Sequence, residues 1–511
     1  MNTAKKWIAA FSAGLFALSA CPLLTSVQAA DAEREQVLQD TYQQWKKTYV
    51  TEDTYVSSGK PQYYVSYEEN RYAGDGVSVP VTVSEAHGYG MLITVCMADY
   101  DAQAKDTFDG MYRYYRAHLS DIGENLMSWQ QCDNGSALID GATDGAMQSG
   151  DADSATDGDL DIAYSLLLAD QRWGSNEETP YRETALAMIQ DIMDYEVNQD
   201  DWLLQLGDWV HECDTSDSYY SATRSSDFIL QYFPVFEAVT GDERWGKLYD
   251  GTCAVIESIT AEQSTGLLPD FIVKNAAGKF VPAPENFLED VTDGKYAYNS
   301  CRTPWRLGMD LLYPSEKGAN DTVKTVIHKL NSWIQTETDG DPENIVAGYE
   351  LDGTPTQDYD DLCFTAPFLV AAACEDSASS WEQTLWDTLA DYGTDVYFGD
   401  TIRMLCMISV TGNWLVPDPA TDSTKGDLDG DGTATVSDLV LLNRYLLRLE
   451  SLTTEQGNRA DWNDDQQITV VDDVHYYKED APWKQVYSKH PVLTAFTLLF
   501  SAEEMPENPA W

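Results

Sequence analysis

The sequence predicts an all-α fold over residues 32–416, followed by a small domain of calcium-binding loops and helices. Three observations carry this expectation. Apolar residues recur at helical spacing in one segment after another. An acidic run, Asp157, Asp159 and Asp161, opens one of the most apolar of those segments. Two acidic loops of twelve residues, offset by 34, stand near the C-terminus.

The helical segments are Ala30–Tyr49, Asp106–His118, Ile162–Trp173, Tyr181–Tyr195, Arg224–Thr240, Arg244–Ser258, Asp321–Thr336, Leu362–Ala373 and Ser380–Tyr392. In the third, Ile162, Leu166, Ala169 and Trp173 share one face, which marks a buried element. Long connections at 130–155, 196–222 and 259–298 are rich in Gly, Asp, Asn and Ser. Helices joined by such loops build a site on one face of the fold.

With 31 Lys+Arg against 86 Asp+Glu, the 511-residue chain carries a formal charge of −55. A polyanion such as nucleic acid is excluded as a partner, because no basic patch interrupts this field. The acidity reads as a solvated surface, with attraction of a polycationic polymer as the sharper alternative. Residues 1–29 have the form of an export signal: Lys5 and Lys6 precede an apolar core from Trp7 to Ala20, and Val27-Gln28-Ala29 suits cleavage before Ala30. Leu18-Ser19-Ala20-Cys21 also fits lipoprotein processing at Cys21; cleavage after Ala29 is preferred. Eight cysteines remain beyond it, scattered and without a CxxC pair, so zinc is not indicated. Cys96, Cys374 and Cys406 lie in apolar runs, as small buried hydrophobes do.

One acidic residue at a helix start is an ordinary cap, since free N–H groups and the macrodipole favour it. Three acids around Gly158, leading into a buried helix, suggest instead a polar site at the mouth of a core. A second segment, Ser84-Glu85-Ala86-His87-Gly88-Tyr89-Gly90, places a Glu ahead of a Gly-Tyr-Gly turn and an apolar run from Met91 to Met97. A Glu beside apolar and aromatic residues can have its pKa raised until it holds a proton near neutrality.

These two segments in this order, with Tyr298-Asn299-Ser300-Cys301-Arg302-Thr303-Pro304-Trp305-Arg306 behind them, resemble the family 8 glycoside hydrolases over roughly residues 35–416. The resemblance implies an (α/α)6 barrel, twelve helices in two concentric rings with the substrate cleft at one end. It implies Glu85 as the acid that protonates the leaving oxygen and Asp157 as the residue that binds and distorts the sugar in subsite −1. Asp159 and Asp161 then cap and brace the helix. Many members of the family carry an Asp base where this chain has Asn299, and a neutral amide cannot take a proton from water. One subfamily shows the same Asn and takes its base from a long insertion upstream. Here that insertion holds Pro284-Glu285-Asn286-Phe287-Leu288-Glu289-Asp290, and the segment Thr223–Phe228 also looks like that subfamily. Glu289 is the expected base, with Glu285 second and Asp270 third; Asn299 orients the water and Arg302 holds base or substrate. Trp129, Tyr219 and Trp305 are expected to stack on sugar faces, with Trp202, Trp209 and Tyr220 as further candidates.

Pro417–Lys425 is a linker by composition. In the first loop behind it, Asp427, Asp429, Asp431, Thr433 and Asp438 occupy ligand positions 1, 3, 5, 7 and 12; in the second, Asp461, Asn463, Asp465, Gln467 and Asp472 do. Thr435 and Thr469 take position 9, and Gln466 stands where a loop glycine is usual. Helices follow the loops without the preceding helix of an EF-hand. The duplication resembles a type I-like dockerin over 426–482, which implies two Ca2+ ions and a cohesin partner on a scaffold protein, contacted through Val436, Ser437, Val470 and Val471. Residues 483–511 belong to neither resemblance. Together these imply a secreted, endo-acting, inverting β-glycanase acting on β-1,4-glucan or mixed-linkage β-1,3-1,4-glucan without a catalytic cofactor. Chitosan is the main alternative substrate and xylan the next. A carbohydrate-binding component that has lost its base is the reading from another class.

Overall fold

The computed structural model describes residues 21–57, 59–67, 71–142, 145–315, 319–394, 396–419, 428, 436–449, 451–460 and 468. Two compact units emerge, a large one within 1–169 and 182–418 and a small one drawn from 170–181 and the residues beyond 418. Among the described residues twelve α-helices run from residue 21 to residue 410: α1 (Cys21–Tyr49), α2 (Ser84–Cys96), α3 (Ala104–Ala117), α4 (Thr156–Trp173), α5 (Tyr181–Tyr195), α6 (Tyr232–Thr240), α7 (Arg244–Thr260), α8 (Thr303–Leu312), α9 (Asp321–Glu337), α10 (Leu362–Ala373), α11 (Ser379–Asp391) and α12 (Tyr397–Val410).

Burial sorts them into two sets. Helices α2, α8, α10 and α12 are buried on nearly every face, as are α4 as far as Ala169 and the first turns of α6. In contrast α3, α7, α9 and α11 bury one stripe and expose the other, the pattern of helices that face solvent. Alternation along the chain between buried and half-exposed helices is what two concentric rings require, and the fold is the (α/α)6 barrel. Short strands edge the loops at one end. Strands β1 (Val50–Glu52) and β2 (Tyr63–Val65) pair antiparallel, β3 (Val79–Val83), β4 (Gln130–Asp133) and β5 (Leu138–Asp140) form one sheet, and β6 (Val197–Asn198) pairs with β7 (Leu203–Leu204). A fourth sheet has the order β10-β9-β8, from β8 (Thr223–Arg224), β9 (Phe271–Lys274) and β10 (Phe280–Pro282).

Two expectations are corrected. The Gly-Tyr-Gly segment is no turn: it lies inside α2. Its glycines serve close packing, because a Cβ on Gly90 would stand 2.3 Å from Val65 Cγ2 and one on Gly88 2.8 Å from Asp161 Cβ. The predicted helix Arg224–Thr240 starts only at Tyr232. Upstream, Thr223 and Arg224 pair with Ile272 and Phe271, and Ser225 is stitched to the chain ahead of β9, its N–H on the Asp270 carbonyl (3.1 Å) and its Oγ on that of Pro269 (2.6 Å). Backbone pairing there outcompetes the helix.

The crossing of α2 and α4 decides where the acidic residues meet. A Cβ on Gly158 would come within 2.6 Å of the Ser84 carbonyl carbon and 2.5 Å of its Oγ. Only glycine lets the first turn of α4 lie against the first turn of α2, and those turns carry Asp157 and Glu85. Gly158→Ala is expected to lower unfolding stability by about 1–3 kcal/mol despite the better helix propensity of alanine. Urea denaturation checks this; an unchanged midpoint would refute the close approach.

In the small unit, α13 (Val436–Leu446) and α14 (Thr454–Ala460) pack Leu428, Leu439, Leu442 and Ala460 into a core of their own. Apart from Asp438, none of the expected calcium ligands lies among the described residues, and neither do Val470, Val471 or the tail 483–511. Residues 1–20 of the expected export signal also lie outside them.

Candidate active site

Glu85 leaves the first turn of α2, delivered there by β3, whose last residue is Val83. Asp157 leaves the first turn of α4. Between them lies the guanidinium of Arg302, in a short 3-10 turn (Ser300–Arg302) that runs straight into α8. Its Nη1 donates to Glu85 Oε1, to Asp157 Oδ2 at 3.1 Å and to Tyr89 Oη at 3.2 Å. Its Nη2 donates to Asn299 Oδ1 at 3.0 Å, and its Nε to the Asn299 carbonyl at 3.1 Å. Asn299 turns its amide outward, where Nδ2 donates to Glu289 Oε2 at 2.8 Å. One hydrogen-bonded line thus runs Glu85–Arg302–Asn299–Glu289, from a carboxyl 19 % exposed to one 48 % exposed.

The environments separate the carboxyls. Burial lifts Glu85 above the usual carboxylate range; Arg302 opposes the lift and Asp157 adds to it. Burial also acts against ionised Asp157, but Arg224 and Arg302 outweigh it and hold that group below its ordinary value. Two neighbouring carboxyls, one favouring its proton and one its charge, are the pattern of an acid beside a charged stabiliser.

Around this line the loops are pinned by carboxylates. Asp293 accepts the backbone N–H groups of Leu288 (2.7 Å), Glu289 (3.1 Å) and Asp290 (3.0 Å), which fixes the insertion that presents Glu289. Asp270, third in order as a base, is buried and spends Oδ1 on Ala297 N, Ser300 N and Ser300 Oγ at 2.6–3.1 Å. Burial pushes its pKa up to about 6, yet its bonds make it the anchor of the Asn299 turn. Glu285 is exposed. Asp161 is clamped by Arg306 (3.1 and 2.6 Å) and by the Tyr232 hydroxyl (2.8 Å), tying α4 to α8 and α6.

Of the aromatic candidates, Trp129 and Tyr219 are half-buried. Tyr219 sits in a cluster with Trp209 and Phe287, ring centroids 5.3 and 5.1 Å away, on the insertion loop. Trp202 lies under the Lys247 ammonium, and Tyr220 donates to Asp200. Trp305 is corrected: it is fully buried, bonded to Ser409 Oγ and stacked on Arg306, so no ring face is left for a sugar. Sequence reasoning missed Arg224, whose guanidinium lies 3.7 Å from Asp157 and 3.9 Å from Glu289, over the ring of Phe271. The segment holding it was recognisable only as a resemblance. Tyr89 and Asp293 were missed as well.

Comparison with known proteins decides what this constellation belongs to. The profile of the glycosyl hydrolases family 8 matches residues 12–412. The chain belongs to that family. It is a glycoside hydrolase. A beta-glucanase of Niallia circulans is 42 % identical over 72 % of this chain and 83 % of its own, and an endoglucanase of Bacillus sp. (strain KSM-330) is 38 % identical over 74 % and 76 %. The apo structure of a beta-1,3-1,4-glucanase from Paenibacillus sp. X4 superposes with a TM-score of 0.66 and 39 % identity, over 76 % of this chain and 94 % of that one. A cold-adapted family 8 xylanase, 15 % identical with a TM-score of 0.59 over 75 % and 92 % of the two chains, shares the fold alone. A dockerin type I domain matches residues 425–473, and such domains bind calcium. Asp438 is fully buried in the first turn of α13. The family 8 domain needs no cofactor for catalysis.

Replacing Arg302 tests the electrostatics. Arg302→Met removes the cation that favours ionised Glu85, so the alkaline limb of kcat/KM is expected to move to higher pH while kcat falls by about 10²–10³. Arg302→Lys keeps the charge but loses the fork, and is expected to lower kcat without that shift. The pH profiles of both, with circular dichroism as a fold control, check it; an alkaline limb that stays in place in Arg302→Met would contradict the coupling.

Proposed function

We propose that the enzyme is an exported, endo-acting, inverting β-glucanase that cleaves β-1,4-glucan or mixed-linkage β-1,3-1,4-glucan and is carried on a scaffold through its dockerin. The observation that carries the mechanism is the bond from Asn299 Nδ2 to Glu289 Oε2. Where an acidic base would stand there is an amide, and that amide holds a carboxylate instead. This supports the reading that the chain falls in the subfamily with Asn at this position.

In this mechanism Glu85 delivers its proton to the glycosidic oxygen while Glu289 draws one from a water on the opposite face of the ring. Asn299 occupies Oε2 of Glu289 and leaves Oε1, with Arg224 3.9 Å away, to accept the water's proton. Such pairs stand about 6.5–9.5 Å apart to admit that water, and they invert the anomeric centre. Asp157, kept charged by two arginines, faces the positive charge that develops on the sugar. Trp129 and Tyr219 are proposed as sugar platforms.

The substrate class follows the relatives, which are named beta-glucanase and endoglucanase. In the dockerin, Asp427, Asp429, Asp431, Thr433 and Asp438, with Asp461, Asn463, Asp465, Gln467 and Asp472, are proposed to hold two calcium ions. Val436, Ser437, Val470 and Val471 are the proposed cohesin contacts. Export with cleavage after Ala29 places the enzyme outside the cell. Among the described residues no helix is long and apolar enough to cross a membrane.

Reducing-end release on barley β-glucan, carboxymethyl cellulose, chitosan and xylan is the test. Release from the glucans alone is expected, and Glu289→Gln is expected to lower it by about 10³-fold or more with folding intact. Release from chitosan alone would reassign the substrate, and near-normal turnover by the variant would remove Glu289 as base.

A further inference from the structure

Behind the catalytic line lies a second acidic cluster that the mechanism does not use. Asp159, Glu196 and Asp208 are all fully buried. Asp208 is satisfied: Oδ1 accepts Ser154 N at 2.8 Å, and Oδ2 accepts Ser120 Oγ and Gly123 N. The other two are satisfied by halves. Asp159 Oδ1 accepts Met127 N at 2.8 Å and Glu196 Oε1 accepts Ser154 Oγ at 2.6 Å. Asp159 Oδ2 and Glu196 Oε2 accept no hydrogen bond: the Ser154 hydroxyl, in reach of both side chains, gives its one proton to Glu196 Oε1, and the two carboxyls lie within hydrogen-bonding reach of each other.

The groups facing the pair are Asp208, with Asp153 beyond it, and the Tyr115 phenol, which itself donates to the Asn125 carbonyl. Among the described residues no Lys, Arg or His forms an ion pair with Asp159 or Glu196. Two buried carboxylates in contact, with no cation and with the one nearby hydroxyl already spent on Glu196 Oε1, cannot both be charged. A proton between them supplies the missing donor and removes one charge.

We propose that Asp159 and Glu196 share a single proton, Glu196 Oε2–H donating to Asp159 Oδ2, and that this bond fastens the starts of α2 and α4 beneath the catalytic groups. Asp159 lies two residues beyond Asp157 in the first turn of α4. Through Met127 it holds the segment whose Trp129 carbonyl accepts Ser84 N at 2.9 Å, next to Glu85. Trp129 N in turn donates to the Asp153 carbonyl at 2.8 Å. Glu196 and Asp159 are therefore positioning residues for Glu85 and Asp157, an inference that rests on the roles proposed for those two.

The sign of the pH dependence follows. Burial raises both carboxyls well above their ordinary range, so the folded protein holds the proton more tightly than the unfolded chain. The stabilisation is whole in acid, and it is lost as pH rises from the ordinary carboxylate range through the folded value.

The test uses the full-length enzyme. Glu196→Gln supplies a permanent N–H donor in the same shape, and Glu196→Ala leaves Asp159 Oδ2 beside a cavity with no partner across it. The Ala variant is expected to lose about tenfold or more in kcat at neutral pH, and Gln to restore it to within about twofold. Gln is also expected to reduce the fall in thermal midpoint on the alkaline side, leaving the part that Glu85 and Asp270 contribute. Difference infrared spectra of parent against Glu196→Gln are expected to show the carbonyl stretch of a protonated carboxylic acid in the parent alone. That readout and the thermal scan need no substrate, so they fail independently of the catalytic assignment. An unaltered alkaline fall in Glu196→Gln would overturn the proposal. So would a Gln variant as impaired as Ala at neutral pH, the result expected if a cation rather than a proton lay between the two oxygens.

Discussion

Everything at the centre of this molecule is arranged about one buried guanidinium. Arg302 is surrounded by Glu85, Asp157, Tyr89 and the two oxygens of Asn299, and each of its three nitrogens is engaged. A buried arginine is tolerated only when paired, and removing one member of such a set leaves uncompensated charge that costs about 3–5 kcal/mol. The two carboxyls compete unequally for it. Asp157 has a second cation, Arg224, and stays charged; Glu85 has none so close and lies higher. The asymmetry of Glu85 and Asp157 is thus a consequence of how two arginines are shared among their partners.

The barrel's task is to bring these groups together from distant parts of the chain. Glu85, Asp157 and Arg302 come from the starts of α2, α4 and α8, three helices whose N-terminal turns converge. Gly88 and Gly158 set how closely α2 and α4 approach, and Asp161 with Arg306 locks α4 to α8 one turn below the site. The loop part is held differently. Asp293 and Asp270 each collect backbone N–H groups and so give the insertion and the Asn299 turn fixed shapes without regular structure. A carboxylate used this way is a substitute for a strand partner.

Much of this was legible in the sequence, and the pattern of success has a physical cause. The half-exposed helices α3, α7, α9 and α11 have an apolar stripe and a polar face, and their periodicity gave them away. The buried helices α2, α8 and α12 lack a polar face, so period alone does not distinguish them from loops or strands. Glu85, Asp157 and Arg302 were singled out through ordered motifs, and Glu289 through the resemblance to a subfamily whose base lies in an insertion, once the amide of Asn299 could not serve; the structure brings the four onto one hydrogen-bonded line. Arg224 was not found as a site residue, because nothing local distinguishes an arginine in a two-residue strand from one on the surface. Trp305 failed for the opposite reason: proximity to a motif says nothing about which way a ring faces. Asp159 was read as a brace of its helix, but its partner Glu196 lies in a loop 37 residues on and carries no signal of its own.

The central claim is that Glu289, held by Asn299, is the base that activates water opposite Glu85. The most direct measurement is chemical rescue of Glu289→Ala with sodium azide on barley β-glucan, with the product followed by proton NMR. A small anion that needs no deprotonation can fill the space left by the base and attack the anomeric carbon directly. The account predicts that azide restores turnover and yields an α-glycosyl azide, while Glu285→Ala needs no rescue. A Glu289→Ala enzyme that hydrolyses at the parent's rate without azide, or a product of β configuration, would contradict it.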